Sequence, residues 1–183
     1  MTTHALFLRA INTGARRVTN EQLLEPLIGA GFSEVAAFQA AGNLIVNADG
    51  SESSCVDSTG LTTLLSNAYG FHTPVFARSV DQLRSVVERA PFTDAQIAAT
   101  TGKIQVTFMS AAPSAQLIAD VAAITPDEDL VCFDGSEWFW LPVDGVSGSR
   151  LPVKAIERIV GPMTMRTLGT VERLLKKCAS NVL

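Results

Sequence analysis

Apolar residues along this chain switch repeatedly between a continuous run and a three-four spacing, and the switches mark its elements. Residues 4–10, HALFLRA, form the short apolar run of a buried strand. Residues 19–31 follow with Leu23, Leu24, Leu27 and Ile28 on one helical face; Thr19 and Gln22 have the spacing of a capping box, and Gly31 suits the C-terminal cap. Residues 34–48 predict two strands turning at Gly42-Asn43, a hairpin dipeptide. Leu61, Leu64, Leu65 and Ala68 mark a second helix ending near Gly70. A strand over 72–79 and a helix over 80–90 complete the order β-α-β-β-α-β.

The same order returns in the second half. Residues 103–110 predict a strand, 113–124 a helix with Pro113 in its first turn, and 129–142 a hairpin around Asp134-Gly135. A helix over 153–161 stops at Gly161-Pro162, a strand covers 163–167, and a last helix runs from 168 to about 178. ARSVDQLRSVV and MRTLGTVERLL also share the letters R-[ST]-[VL]-x-x-[LV]-x-x-[VL]. A repeated unit accounts for both observations. A β-α-β-β-α-β unit is the split βαβ of ferredoxin-like folds, a four-stranded antiparallel sheet with two helices on one face. The expected fold is therefore α+β, two ferredoxin-like subdomains in tandem: 1–90 with an exit helix, a connection over 91–102, and 103–183 with a C-terminal helix.

This topology gathers distant residues at one end of the first sheet. The end of strand one, the start of helix one, the hairpin turn and the start of strand four all meet there. Arg9, Asn12, Gly14, Arg16, Arg17, Gly42, Asn43 and His72 belong to those pieces. Arginine offers fixed, bidentate donors for carboxylate or phosphate, and a helix N-terminus adds unpaired N–H groups. Glycine lets backbone approach a ligand closely. The combination suits a small anion. The structural alternative pairs Arg9 with Glu34 or Glu21 and leaves Arg16 and Arg17 to solvate a loop. The matching edge of the second unit offers Ser110, Pro113, Asp134 and Gly135 with no base, a contrast that favours function in the first.

Composition narrows the classes. A hydrophobic content of 47% with 17% charged residues is that of a globular protein. No apolar run is long enough to span a bilayer, and no basic segment followed by an apolar stretch opens the chain, so a cytoplasmic location is expected. Cys55, Cys132 and Cys178 are odd in number and far apart, which argues against a disulfide framework. With only His4 and His72, and no CxxC or HxxxH pair, no metal site is expected; no cofactor motif is present either. The net charge of −4 argues against a general nucleic-acid binder. Charge is uneven, however: residues 81–145 carry ten acids against three bases, and 146–183 seven bases against two acids. A solvated face on the last helices explains that most simply. Trp138 and Trp140 share one face of their strand and are assigned to packing.

LFLRAINTG, FQAAGNLIV, GSRL at 148–151 and MRTLGTVERLL together resemble a bacterial family known as domain of unknown function 1697, over essentially the whole chain. The family pattern reads approximately L-L-R-G-I-N-V-G-G, then Q-S-G-N-V-V-F, then R-N-W-N-T-V. Arg9, Ile11, Asn12, Gly14, Gly42, Asn43, Arg166, Thr170 and Val171 keep it. Ala10 replaces a glycine, Thr13 and Ala15 alter the turn, and Ala41 replaces the serine before Gly42. Thr167, Leu168 and Gly169 stand where the family has Asn, Trp and Asn. The resemblance implies a cytosolic α+β protein of two ferredoxin-like parts and no known activity.

Three functional classes follow. The first is a binding module for a small anionic, phosphate- or carboxylate-bearing ligand at the strand one/helix one loop. The second is an enzyme using the same edge with His72 as general base. The third is a nucleic-acid or protein interaction module acting through the basic C-terminal helix with Lys176 and Lys177.

Overall fold

A computed structural model describes residues 2–12, 17–39, 42–48 and 56–180. The chain divides into two compact units, one of residues 1–84 with 173–183 and one of residues 85–172. Each contains a four-stranded antiparallel sheet in the ferredoxin-like order.

In the first unit β1 (Thr2–Leu8) is followed by α1 (Asn20–Gly29), β2 (Glu34–Ala37), β3 (Asn43–Ala48), α2 (Ser58–Tyr69) and β4 (Val75–Ser79), with sheet order β2-β3-β1-β4. β1 is central, with Leu6 opposite Leu44 on one side and Ala77 on the other. Period-two alternation sends Leu6, Leu8, Leu44, Val46 and Val75 to one face, where they pack with Leu23 and Leu27 of α1 and Leu61 and Leu65 of α2. The opposite face carries Ala5, Phe7, Ile45 and Phe76, which are also buried. Burial on both faces is why β1 and β3 read as continuous apolar runs rather than alternating ones.

The helix boundaries follow their caps. Thr19 and Gln22 form the capping box their spacing predicts, and α2 starts on Asp57, whose carboxylate accepts from the N–H groups of Thr59 and Gly60. Those two bonds hold the Asp57 carboxyl below its ordinary range. β4 passes straight into α3 (Val80–Glu88): Ser79 Oγ accepts from Gln82 N, and Gln82 Oε1 accepts from Ser79 N.

The connection holds one short helix, α4 (Asp94–Ala98), begun by a Thr93–Gln96 capping box. The second unit then runs β5 (Gln105–Met109), α5 (Ala115–Ala122), β6 (Leu130–Asp134), β7 (Glu137–Leu141), α6 (Val153–Val160) and β8 (Met163–Thr167), ordered β6-β7-β5-β8, before α7 (Leu168–Ala179). Trp138 and Trp140 pack with Met109, Val121 and Ile156, the core role assigned to them. At α7, Thr167 Oγ1 accepts from Thr170 N. The letters shared by the two halves therefore have a local cause. Arg78 and Arg166 stand next to last in their strands, Ser79 and Thr167 end those strands and cap the helices that follow directly, and Val80 and Leu168 begin those helices.

Several boundaries differ from expectation. β1 lies earlier than 4–10, and β4 begins at Val75, leaving His72 outside it. Asn43 is the first residue of β3 rather than half of a two-residue turn. The Phe38 N–H donates to Asn43 O, and Asn43 Nδ2 donates to Phe38 O. Pro113 precedes α5, because Ser114 takes the cap by accepting from Leu117 N. The second hairpin closes over Gly135 and Ser136, with Asp134 paired to Glu137.

Two backbone positions and one histidine give tests. Gly42 sits at φ 68, where an added Cβ would lie 3.3 Å from Leu8 O and from the Cβ atoms of Leu8 and Ile11. Gly42→Ala should destabilise by about 1–2 kcal/mol in denaturant unfolding. Ala10 occupies φ 65 with no such freedom, so Ala10→Gly should stabilise by about 0.5–1 kcal/mol, left-handed relief minus the added flexibility of the unfolded chain. His4 is buried, and desolvation lowers its pKa from 6.5 despite its bond to Thr2 O. Below that value the unfolded chain binds a proton that the folded chain resists, so stability should fall as pH drops through it. Unfolding at about pH 7.5 and pH 5.5 should show a larger loss in the native protein than in His4→Gln. Equal losses would assign the pH dependence elsewhere.

Candidate functional site

The corner singled out from the sequence is built around the exit of β1. Leu8 N donates to Gly42 O at 2.8 Å, and Arg9 N donates to Pro74 O at 2.9 Å. The turn before β3 and the segment before β4 are thereby fixed on either side of Arg9. The chain then turns sharply, with Ala10 at φ 65 and Asn12 at φ 55, and it buries the Ile11 side chain in the core between them. Left-handed backbone is ordinary for Asn and unfavourable for Ala, so Ala10 carries local strain.

Asn12 closes the loop. Its Oδ1 accepts from Val18 N at 2.9 Å, and its backbone oxygen accepts from Arg17 Nη1 at 3.3 Å. Arg17 is therefore held toward the end of β1 although its residue lies just before α1. Gly14 and Arg16, also singled out, lie outside the described residues. Gly42 and Asn43 are buried and support the turn: Gly42 receives Leu8 N, and Asn43 Nδ2 reaches Phe38 O at 3.3 Å. His72 is exposed, two residues before Pro74. Glu34, weighed as a partner for Arg9, accepts from Asn47 Nδ2 at 2.5 Å.

Beside this corner lies a cavity of about 460 Å³ on the helical side of the unit. Arg17, Gln22 and Glu25 contribute polar groups to its lining; Val18, Tyr69 and Phe71 contribute apolar surface. Tyr69 Oη donates to Leu23 O at 2.9 Å, tying the end of α2 to α1, and burial pushes its phenol above the ordinary range. The ring of Phe71 lies 6.1 Å from that of Tyr69. Sequence reasoning found Arg17 but missed Tyr69 and Phe71. An aromatic at a helix end has no periodic signal, although this is the chain's one tyrosine.

The chemistry this corner offers is cationic and hydrogen-bonding. Cys178 is buried, and desolvation pushes its thiol up to about 11, so it stays protonated near neutrality. Cys55 lies outside the described residues. Among the described residues no group of three or more His, Cys, Asp and Glu side chains is arranged to hold a metal ion, and no helix is long and apolar enough to cross a membrane. On α7, Val171, Leu174 and Cys178 are buried while Arg173 and Lys176 are exposed, the amphipathic pattern of a solvated basic face.

Comparison with known proteins agrees with the fold. A conserved bacterial protein of Streptococcus pneumoniae, known from a solved structure, is 19% identical and superposes with a TM-score of 0.73 over 98% of this chain and 99% of its own. No curated protein matches the chain. The model of a family described as proteins of unknown function, DUF1697, matches residues 1–139. That is most of the chain, and with the Arg9–Asn12 and Gly42-Asn43 motifs inside it, this chain belongs to that family.

Proposed function

We propose that the first unit is a binding module for a small ligand carrying a phosphate or carboxylate, held at the corner between β1 and α1. The observation that carries the reading is the placement of Arg17. Its guanidinium donates to Asn12 O, and the residue is part of the lining of the cavity of about 460 Å³. A guanidinium held at Asn12 O has a set orientation, and its planar fork is the shape that suits bidentate contact with an oxyanion. Arg9 stands at the other end of the same loop and adds a second positive charge to the corner. Tyr69, Phe71 and Val18 suit an apolar or ring-bearing body behind the anionic group.

Strain at Ala10 supports the same assignment. A left-handed alanine is unfavourable by about 1–2 kcal/mol, and backbone strain of this kind concentrates where a loop must hold a set geometry. Asn12 acts as a positioning residue, because its oxygens accept from both Arg17 and Val18.

Thermal unfolding in the presence of phosphate- and carboxylate-bearing compounds tests the reading. A ligand at about a hundred times its Kd should stabilise by about 2.7 kcal/mol. The shift should vanish in the Arg9→Ala/Arg17→Ala double variant, and it should weaken in Asn12→Ala with the fold retained by circular dichroism. A shift that survives the double variant would place the anion elsewhere. No shift with any such compound would remove the reading.

A further inference from the structure

The second unit contains a separate cavity of about 510 Å³, and we propose that it binds a small molecule with an apolar body and a protonated amine. The cavity lies between the edge strand β6, helix α5 and the segment that leads into α4. Phe92, Ile118, Val121, Val131 and Phe133 give it apolar walls. Its charged lining residues are both acidic, Asp127 and Asp129.

Asp129 is the informative one. Only 6% of the residue is exposed, and its Oδ2 accepts from Ser149 Oγ at 2.5 Å. Among the described residues no Lys, Arg or His forms an ion pair with it; the adjacent Glu128 pairs with Arg150, and Asp134 with Arg89. A buried carboxylate without a cation is costly, and one hydroxyl satisfies only part of its capacity for hydrogen bonds. Asp129 and Asp127 share the lining of this cavity with its apolar walls, a combination that selects for a positive group carried on an apolar body. An ammonium supplies both a compensating charge and further donors. An alcohol of the same shape supplies only a neutral donor, and a carboxylate of that shape is repelled. Asp127, exposed at the rim, adds to the same preference.

The experiment uses the full chain with three probes of equal length, hexylamine, hexanol and hexanoate, followed by amide chemical shifts. Hexylamine should move the amides of Ile118, Val131 and Phe133 saturably and bind at least about tenfold more tightly than hexanol, with hexanoate weakest. Asp129→Asn should bring the amine and the alcohol to within about threefold of each other. Because that variant also alters the bond to Ser149, a second one, Ala122→Trp, fills the cavity from an exposed position of α5 and should abolish binding of both. Equal affinity of amine and alcohol for the native protein would overturn the role of Asp129. Failure of any probe to shift those amides, or binding that survives Ala122→Trp, would overturn the cavity as the site.

Discussion

Two backbone hydrogen bonds made as the chain leaves β1 fix the corner on which the functional reading depends. Leu8 to Gly42 and Arg9 to Pro74 hold the central strand to its neighbours on both sides up to its last residue. With both flanks occupied, the chain leaves through left-handed conformations at Ala10 and Asn12, and Ile11 drops into the core between them as an anchor. Unpaired buried amides cost more than this local strain, so the ladder prevails and the turn yields. The loop is consequently defined at both ends: its start is bound to the sheet, and its end is bound through Asn12 to Val18 and Arg17.

The two units share a strand order but not a chemistry. The second unit repeats the central bond, with Met109 N donating to Ser136 O at 2.9 Å, yet no base stands at the equivalent exit, where the residue after Met109 is Ser110. Its second cavity is bordered instead by the acidic run from Asp127 to Asp129. A fold that needs the same backbone geometry twice does not need the same side chains twice, so the arginines at the first corner are no requirement of the topology.

Much of this was legible in the sequence. Apolar runs, turn residues and three-four spacings located the strands and helices of both units, and the capping box at Thr19 placed the start of α1. The shared R-[ST]-[VL] letters turned out to record a strand end joined directly to a capped helix start. Other features depend on contacts that spacing does not encode. Asn43 looked like a turn residue but serves β3, since its amide braces Phe38 O from inside the sheet. Pro113 lost the helix start to the hydroxyl of Ser114. Tyr69 and Asp129 gave no signal at all. One is a helix-end aromatic whose partner, Leu23, is distant in sequence, and the other is a carboxylate in an acidic run that only the fold buries.

The central claim is that Arg9 and Arg17 act on one anion at the exit of β1, and arginine side-chain NMR reads it most directly. During a titration with inorganic phosphate, the Nε resonances of Arg9 and Arg17 should move together, saturably and with one midpoint, while those of Arg84 and Arg173 stay in place. Equal, unsaturating drifts across all four would mean that phosphate meets this protein only as a diffuse counterion, and would contradict the account.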